Sequence, residues 1–169
     1  MMRERFETAA ALHGHRCPGL AIGVRAAAEA LRLLAPTEER DRYCIAESRA
    51  CYLDGVQSVF GTTWGNGRLE LRESGKTAFN FYDRAAGRGL RLLARDWPEG
   101  LSREEMIDFL LSAPAEEVFT VGEPAFEAPP DVFRRHRTRR CARCGEDTRE
   151  PFLRLREGEL VCLACAEKE

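Results

Sequence analysis

The stretch HGHRCPGL, residues 13–20, joins two predicted helices and places two histidines and a cysteine between them. The glycine between the histidines disfavours helix, and Pro18 favours extended geometry at Cys17 while suiting the first position of the next helix. In an extended segment, alternate residues face the same way, so His13 and His15 would lie beside Cys17. Cys17 would occupy the helix N-cap, where backbone N–H groups favour a thiolate. We therefore predict an extended segment that offers two imidazoles and one sulfur to a transition metal.

Cys51 is the candidate for a fourth ligand, because it begins the next predicted helix, CYLDGVQSVFG. Asp54 and Gln57 lie away from the apolar face of that helix. If one ligand stayed off the metal, the site would have an open position, and Asp54 or Glu47 could act as a general base. The alternative is a turn whose histidines cap backbone groups and whose cysteines are small core residues. The spacing alone does not decide between the two.

Hydrophobic periodicity predicts an α+β domain over residues 1–125, with an antiparallel sheet packed with helices. Apolar residues recur at helical spacing in four segments: 3–12, 18–35, 51–61 and 102–112. Alternating or β-branched and aromatic runs predict strands: one over 42–48, a three-stranded meander over 68–95, and a last strand within 116–126. Cys44 falls in an apolar strand and is predicted to be a core residue.

The C-terminal part of the chain contains two Cys-x-x-Cys pairs, in CARCGE and CLACAE. Their spacing is typical of a four-thiolate zinc site. The predicted ligands are Cys141, Cys144, Cys162 and Cys165. We predict a linker over residues 126–138 and a zinc-ribbon or treble-clef-like module over 139–169, whose folding depends on zinc because so short a segment buries little core. The alternative is a set of redox pairs or free thiols.

The composition argues against several classes of protein. The 169 residues carry a net charge of −2, which gives no global attraction to nucleic acid or membrane. No signal peptide and no apolar run of about 18 residues is visible, so we predict a cytoplasmic protein without a membrane span. In that compartment the seven cysteines are more typical of metal ligands or reactive thiols than of disulfides.

A basic run crosses the predicted linker and reaches the first cysteine pair. It can be interpreted as phosphate contacts or as a set of charges that offset the zinc thiolates. The first interpretation uses Arg134, Arg135, Arg137, Arg139 and Arg140, and the second uses Arg139, Arg140 and Arg143. Few aromatic residues lie near the run, so stacking on bases would be weak.

Three long motifs resemble the FmdE family, which takes its name from the FmdE component of formylmethanofuran dehydrogenase: HGHRCPGLAIGVRAA, CYLDGVQSVFGTTWGNGRL and GKTAFNFYDRAAGRGLRL. The resemblance implies an α+β core that forms homodimers, and some family members carry a C-terminal zinc-binding module. It also implies a metal-binding cleft formed by His13, His15, Cys17 and Cys51. This chain departs from the family in one loop, where Thr62 and Asn66 replace a cysteine and a lysine.

We therefore predict a metal-binding accessory or regulatory protein of the FmdE type. The tail would hold structural zinc, and the core site would hold zinc, or nickel or iron according to availability. The zinc module would contact a protein partner. The alternatives are a metal- or thiol-dependent enzyme that uses the His13, His15 and Cys17 cleft, and a nucleic-acid-binding regulator that acts through the zinc module and its basic linker.

Overall fold

The computed structural model describes residues 1–36, 38–128 and 137–168. The chain forms two compact units, Met1–Pro130 and Asp131–Glu169. The greater part of the predicted linker lies outside the described residues, and so do Arg134 and Arg135 of the basic run. Each unit is therefore described by itself.

The first unit contains an α+β fold, as predicted. Its helices are α1 Met2–His13, α2 Pro18–Leu34, α3 Tyr52–Phe60, α4 Arg103–Ser112 and α5 Ala115–Val118. Its strands are β1 Arg42–Ala46, β2 Leu69–Leu71, β3 Ala78–Asp83, β4 Arg88–Ala94 and β5 Phe119–Gly122. Pro18 opens α2, and Ser102 forms a capping box with Glu105 at the start of α4. The predicted helices α1 to α4 are confirmed to within one residue at each end.

The five strands form one sheet in the order β2-β1-β3-β4-β5. The pairs β1–β3, β3–β4 and β4–β5 are antiparallel. The predicted meander is wrong at its first strand, because β2 pairs with β1 in parallel and places Leu69 opposite Cys44. The helix α3 supplies the crossover that a parallel pair needs. The Ser74–Gly75 turn signal does not close a hairpin, since the N–H groups of both residues donate to the Glu47 carbonyl oxygen beyond the end of β1.

The core lies between one face of this sheet and the helices. Phe79, Phe81 and Leu92 on the sheet belong to the same buried cluster as Phe6 of α1 and Leu20 of α2. Cys44 is fully buried in this cluster, as predicted for a core residue. The layer of helices thus rests on an apolar sheet face and is held there by burial of apolar surface.

Glycines allow α2 and α3 to cross at very short range. A Cβ atom on Gly23 would overlap the carbonyl oxygen of Tyr52, and a Cβ atom on Gly55 would lie 2.7 Å from the carbonyl oxygen of Leu20. The contact involves backbone on both sides, so no side-chain movement could relieve a larger residue. The crossing brings the N-terminal ends of the two helices together.

The second unit consists of two hairpins and a short helix. Its elements are β6 Thr138–Arg140, β7 Asp147–Arg149, β8 Leu153–Arg156, β9 Glu159–Cys162 and α6 Leu163–Ala166. The β6–β7 turn holds the first cysteine pair, the predicted hairpin is β8–β9, and the second pair lies at the start of α6. This arrangement is treble-clef-like. In the described part of the chain, no helix combines the length and the apolar character that crossing a membrane requires.

Candidate metal sites

The first unit brings together the four predicted residues of the N-terminal site: His13, His15, Cys17 and Cys51. One donor atom from each lies within 4.8 Å of the donor atoms of the others. His13 ends α1, Cys17 is the N-cap of α2, and Cys51 is the N-cap of α3. Three helix ends therefore converge on one point.

The route of the chain through this site differs from the prediction in one respect. His13 is not in an extended segment but in the last turn of α1, and Gly14 follows it with a φ of 89°. The left-handed conformation of Gly14 caps the helix, because its N–H donates to the carbonyl oxygen of Ala10. The two imidazole rings nevertheless meet, with their centroids 4.3 Å apart. Cys17 has the predicted extended geometry, with φ −154° and ψ 159°.

The sulfur of Cys17 lies at the N-terminus of α2, as predicted. The side chain is buried, and its Sγ accepts a hydrogen bond from the Leu20 N–H at 3.3 Å. This contact directs a sulfur lone pair and the helix N-terminus toward each other, which favours the thiolate that metal binding needs.

His13 is oriented by a carboxylate that sequence analysis did not assign to this role. Asp54 Oδ2 lies 2.7 Å from His13 Nδ1, while His13 Nε2 lies 4.0 Å from Cys17 Sγ. With a metal at Nε2, Nδ1 carries the proton and donates it to Asp54. The position of Asp54, one turn after Cys51 and off the apolar face, was the only signal of this contact in the sequence.

Asp54 is itself held by the next polar residue on α3. Gln57 Nε2 donates to Asp54 Oδ1 at 3.0 Å, and Gln57 Oε1 accepts the N–H of Trp64 at 3.1 Å. A chain of hydrogen bonds thus runs from the loop after α3 to His13. Asn66 organises that loop, since its side chain bonds to Thr63 N, Gly61 O and Arg68 N.

The chemistry of the four donors fits a divalent transition metal. Burial raises the pKa of the Cys51 thiol, and the nearby Cys17 sulfur raises it further. Two thiolates at such short range need a cation between them, and imidazole with thiolate is a ligand set that zinc accepts.

Glu47 does not fit the role of a general base. Its carboxylate is buried and is bound by Arg91 at 2.6 and 3.0 Å, by Asn80 at 3.0 Å and by Ser74 at 2.9 Å. The hydrogen bond from Arg91, followed by those from Asn80 and Ser74, lowers the pKa of Glu47 to about 2 against its burial. Such a carboxylate takes up no proton near neutral pH and serves to join β1, β3 and β4.

The second unit brings together the four predicted zinc ligands: Cys141, Cys144, Cys162 and Cys165. Their sulfur atoms also lie within 4.8 Å of one another. Cys144 Sγ and Cys162 Sγ are 3.9 Å apart, close to the edge of about 3.8 Å of a tetrahedron with Zn–S distances of about 2.3 Å. The backbone N–H of Cys144, and next that of Cys162, lower the pKa of Cys141 to about 6. The cluster therefore fits zinc in spacing and in charge.

The described arginines near the first pair are engaged within the second unit. Arg139 Nε pairs with Glu150 at 2.7 Å, Arg140 Nε donates to Gly145 O at 2.6 Å, and Arg143 donates to Cys165 O at 3.2 Å. These contacts favour a supporting role for these three side chains over phosphate contact.

Comparison with known proteins places the chain in a family. The model of the FmdE family, described as molybdenum formylmethanofuran dehydrogenase operon, matches residues 12–120. The chain belongs to the FmdE family. The match includes all four residues of the N-terminal cluster and ends before the C-terminal cysteines.

Two similar proteins extend over more of the chain. A protein of Archaeoglobus fulgidus named as a probable S-adenosyl-L-methionine-binding protein is 29% identical over 192 aligned positions, which cover 91% of this chain and 50% of the relative. This chain thus spans about half the length of that relative. A crystal structure of an FmdE-like protein of tungsten formylmethanofuran dehydrogenase, from Syntrophus aciditrophicus, has a TM-score of 0.72 at 22% identity, and the alignment covers 99% of this chain and 93% of that one. This likeness confirms the fold.

Proposed function

We propose that this FmdE-family protein is a metal-binding accessory or regulatory protein. Its core would hold a transition metal between His13, His15, Cys17 and Cys51, and its second unit would hold structural zinc. The observation that carries the proposal is the convergence of four donor atoms from three helix ends to within 4.8 Å. The supports found around two of the donors, the Leu20 N–H and the Asp54 carboxylate, are those that metal ligands commonly have.

Zinc is the metal that this donor set favours, because thiolate and imidazole are its usual protein ligands. Nickel or iron would also accept these donors, and their availability would then decide. Homodimer formation and a protein partner for the second unit remain predictions from the sequence.

Cobalt substitution tests the core site directly. The protein with Cys162→Ser and Cys165→Ser, called the core-only background, leaves one cluster with four donors. Titration with Co²⁺ should give thiolate-to-cobalt charge-transfer bands at one equivalent. The bands should weaken strongly when Cys17→Ser is added, and they should persist in Cys44→Ala, which removes a buried thiol outside the cluster. Unchanged bands in the Cys17→Ser variant would contradict the proposal.

A further inference from the structure

We infer that His15 is the exchangeable ligand of the core metal and that a small external anion can take its place. The inference rests on the proposed metal site and concerns how that site is used. It would turn a closed four-ligand site into one with three protein ligands and an open position, the arrangement found in catalytic rather than structural zinc sites.

Other donors of the cluster are fixed by contacts or by burial. Asp54 holds the His13 ring at 2.7 Å, and the Leu20 N–H holds the Cys17 sulfur at 3.3 Å. Cys17 is buried, and Cys51 is partly buried and packs against the main core cluster. Each of these side chains therefore keeps its place when the metal is exchanged.

His15 lacks such support. Its side chain is exposed, and among the described residues it forms no hydrogen bond. Its ring contact is the tilted stacking on His13, at 40° between the ring planes. A Cβ atom on the preceding Gly14 would meet nothing within 4 Å, so the turn that carries His15 has open space beside it. The ring can swing away from the cluster without breaking a buried contact.

Space for a replacement ligand exists beside the sulfurs. Gly19 has no side chain, and a Cβ atom there would lie 3.9 Å from Cys51 Sγ and 4.0 Å from Cys17 Sγ. The N-termini of α2 and α3 face this point, and helix N-termini favour negative charge. A small anion is therefore the class of ligand that suits the position.

Matched histidine variants test this inference in the core-only background loaded with Co²⁺. A supporting carboxylate contributes about 10–100-fold to metal affinity, so His13→Ala should weaken Co²⁺ binding by about that factor more than His15→Ala does. The His15→Ala protein should keep one Co²⁺ and change its visible spectrum when azide is added. Circular dichroism checks that both variants are folded, and titration of the full chain checks that the background has not altered the core site.

The outcomes separate the inference from the proposed function. Equal loss of Co²⁺ in His13→Ala and His15→Ala, or a His15→Ala spectrum that azide does not change, would overturn the inference while the parent still binds metal. A core-only parent that binds no Co²⁺ would overturn the proposed function and the inference with it. Retained Co²⁺ in His15→Ala, with an azide response, would support both.

Discussion

At the scale of single residues, the site depends on side chains that do not themselves face the metal. Asp54 orients His13, and Gln57 orients Asp54 while it binds the backbone of Trp64. Sequence spacing identified the donors, because helix ends and Cys-type ligands leave local signals. It did not identify the Asp54 contact, because that contact joins residues far apart in the chain and depends on how α1 and α3 pack.

Replacing Asp54 by Asn tests this support. The amide keeps the size of the side chain but loses the charge that stabilises a proton on His13 Nδ1, so metal affinity of the core site should fall by about 10–100-fold. Competition with a metallochromic chelator in the core-only background measures the change. Asp96→Asn, which alters an exposed carboxylate in the loop after β4, should leave the affinity unchanged. An Asp54→Asn protein that binds as tightly as the parent would show that the contact does not support the site.

Glu47 gives a prediction about acid stability. Its folded-state pKa of about 2 lies below the ordinary value of 4.5, so its ion pair contributes fully above about pH 4.5 and is lost as the pH falls toward 2. Glu47→Gln should lower the free energy of unfolding by about 1.5–3 kcal/mol near neutral pH. The difference from the parent should shrink below pH 4.5.

Urea unfolding of the parent and the variant, at neutral pH and at about pH 3, measures this difference. Glu99→Gln, on an exposed side chain, is the control and should show little change at either pH. A Glu47→Gln effect of the same size at both pH values would contradict the assigned ion pair.

At the scale of helices and strands, local pattern and long-range pairing were not equally readable. The bounds of α1 to α4 followed from periodicity, proline and capping residues, which act within a few positions. The partner of β2 did not, because the same alternating pattern suits a hairpin with β3 or a parallel pair with β1. His13 was also misplaced, since Gly14 can end a helix after His13 as readily as it can begin an extended segment.

The crossing of α2 and α3 is the element contact on which the site depends. Gly23→Ala would place a methyl group against the Tyr52 carbonyl oxygen. The overpacking cost of about 1–3 kcal/mol should exceed the gain of about 1 kcal/mol in helix propensity. The variant should unfold at lower denaturant concentration and bind Co²⁺ more weakly, because Cys51 moves away from Cys17.

Gly122→Ala is the matched control, because a Cβ atom there meets nothing within 4 Å. Denaturant unfolding and Co²⁺ titration of both variants test the prediction. A Gly23→Ala protein with unchanged stability and unchanged metal affinity would show that the close approach of the helices does not determine the site.

At the scale of the whole molecule, each of the two compact units holds one cluster of four donors. The clusters are independent in their ligands, since one uses imidazole with thiolate and the other uses thiolate alone. We therefore expect that either metal can be removed by substitution without loss of the other.

Elemental analysis of the purified full chain tests the central claim most directly. We predict two metal ions per chain in the parent, one in a Cys17→Ser, Cys51→Ser variant, and one in a Cys162→Ser, Cys165→Ser variant. The two singly loaded proteins should differ in the cluster that is occupied, which Co²⁺ spectra would identify. A parent with a single metal ion that the Cys17→Ser, Cys51→Ser variant retains in full would contradict the claim that the core of this protein is a metal site.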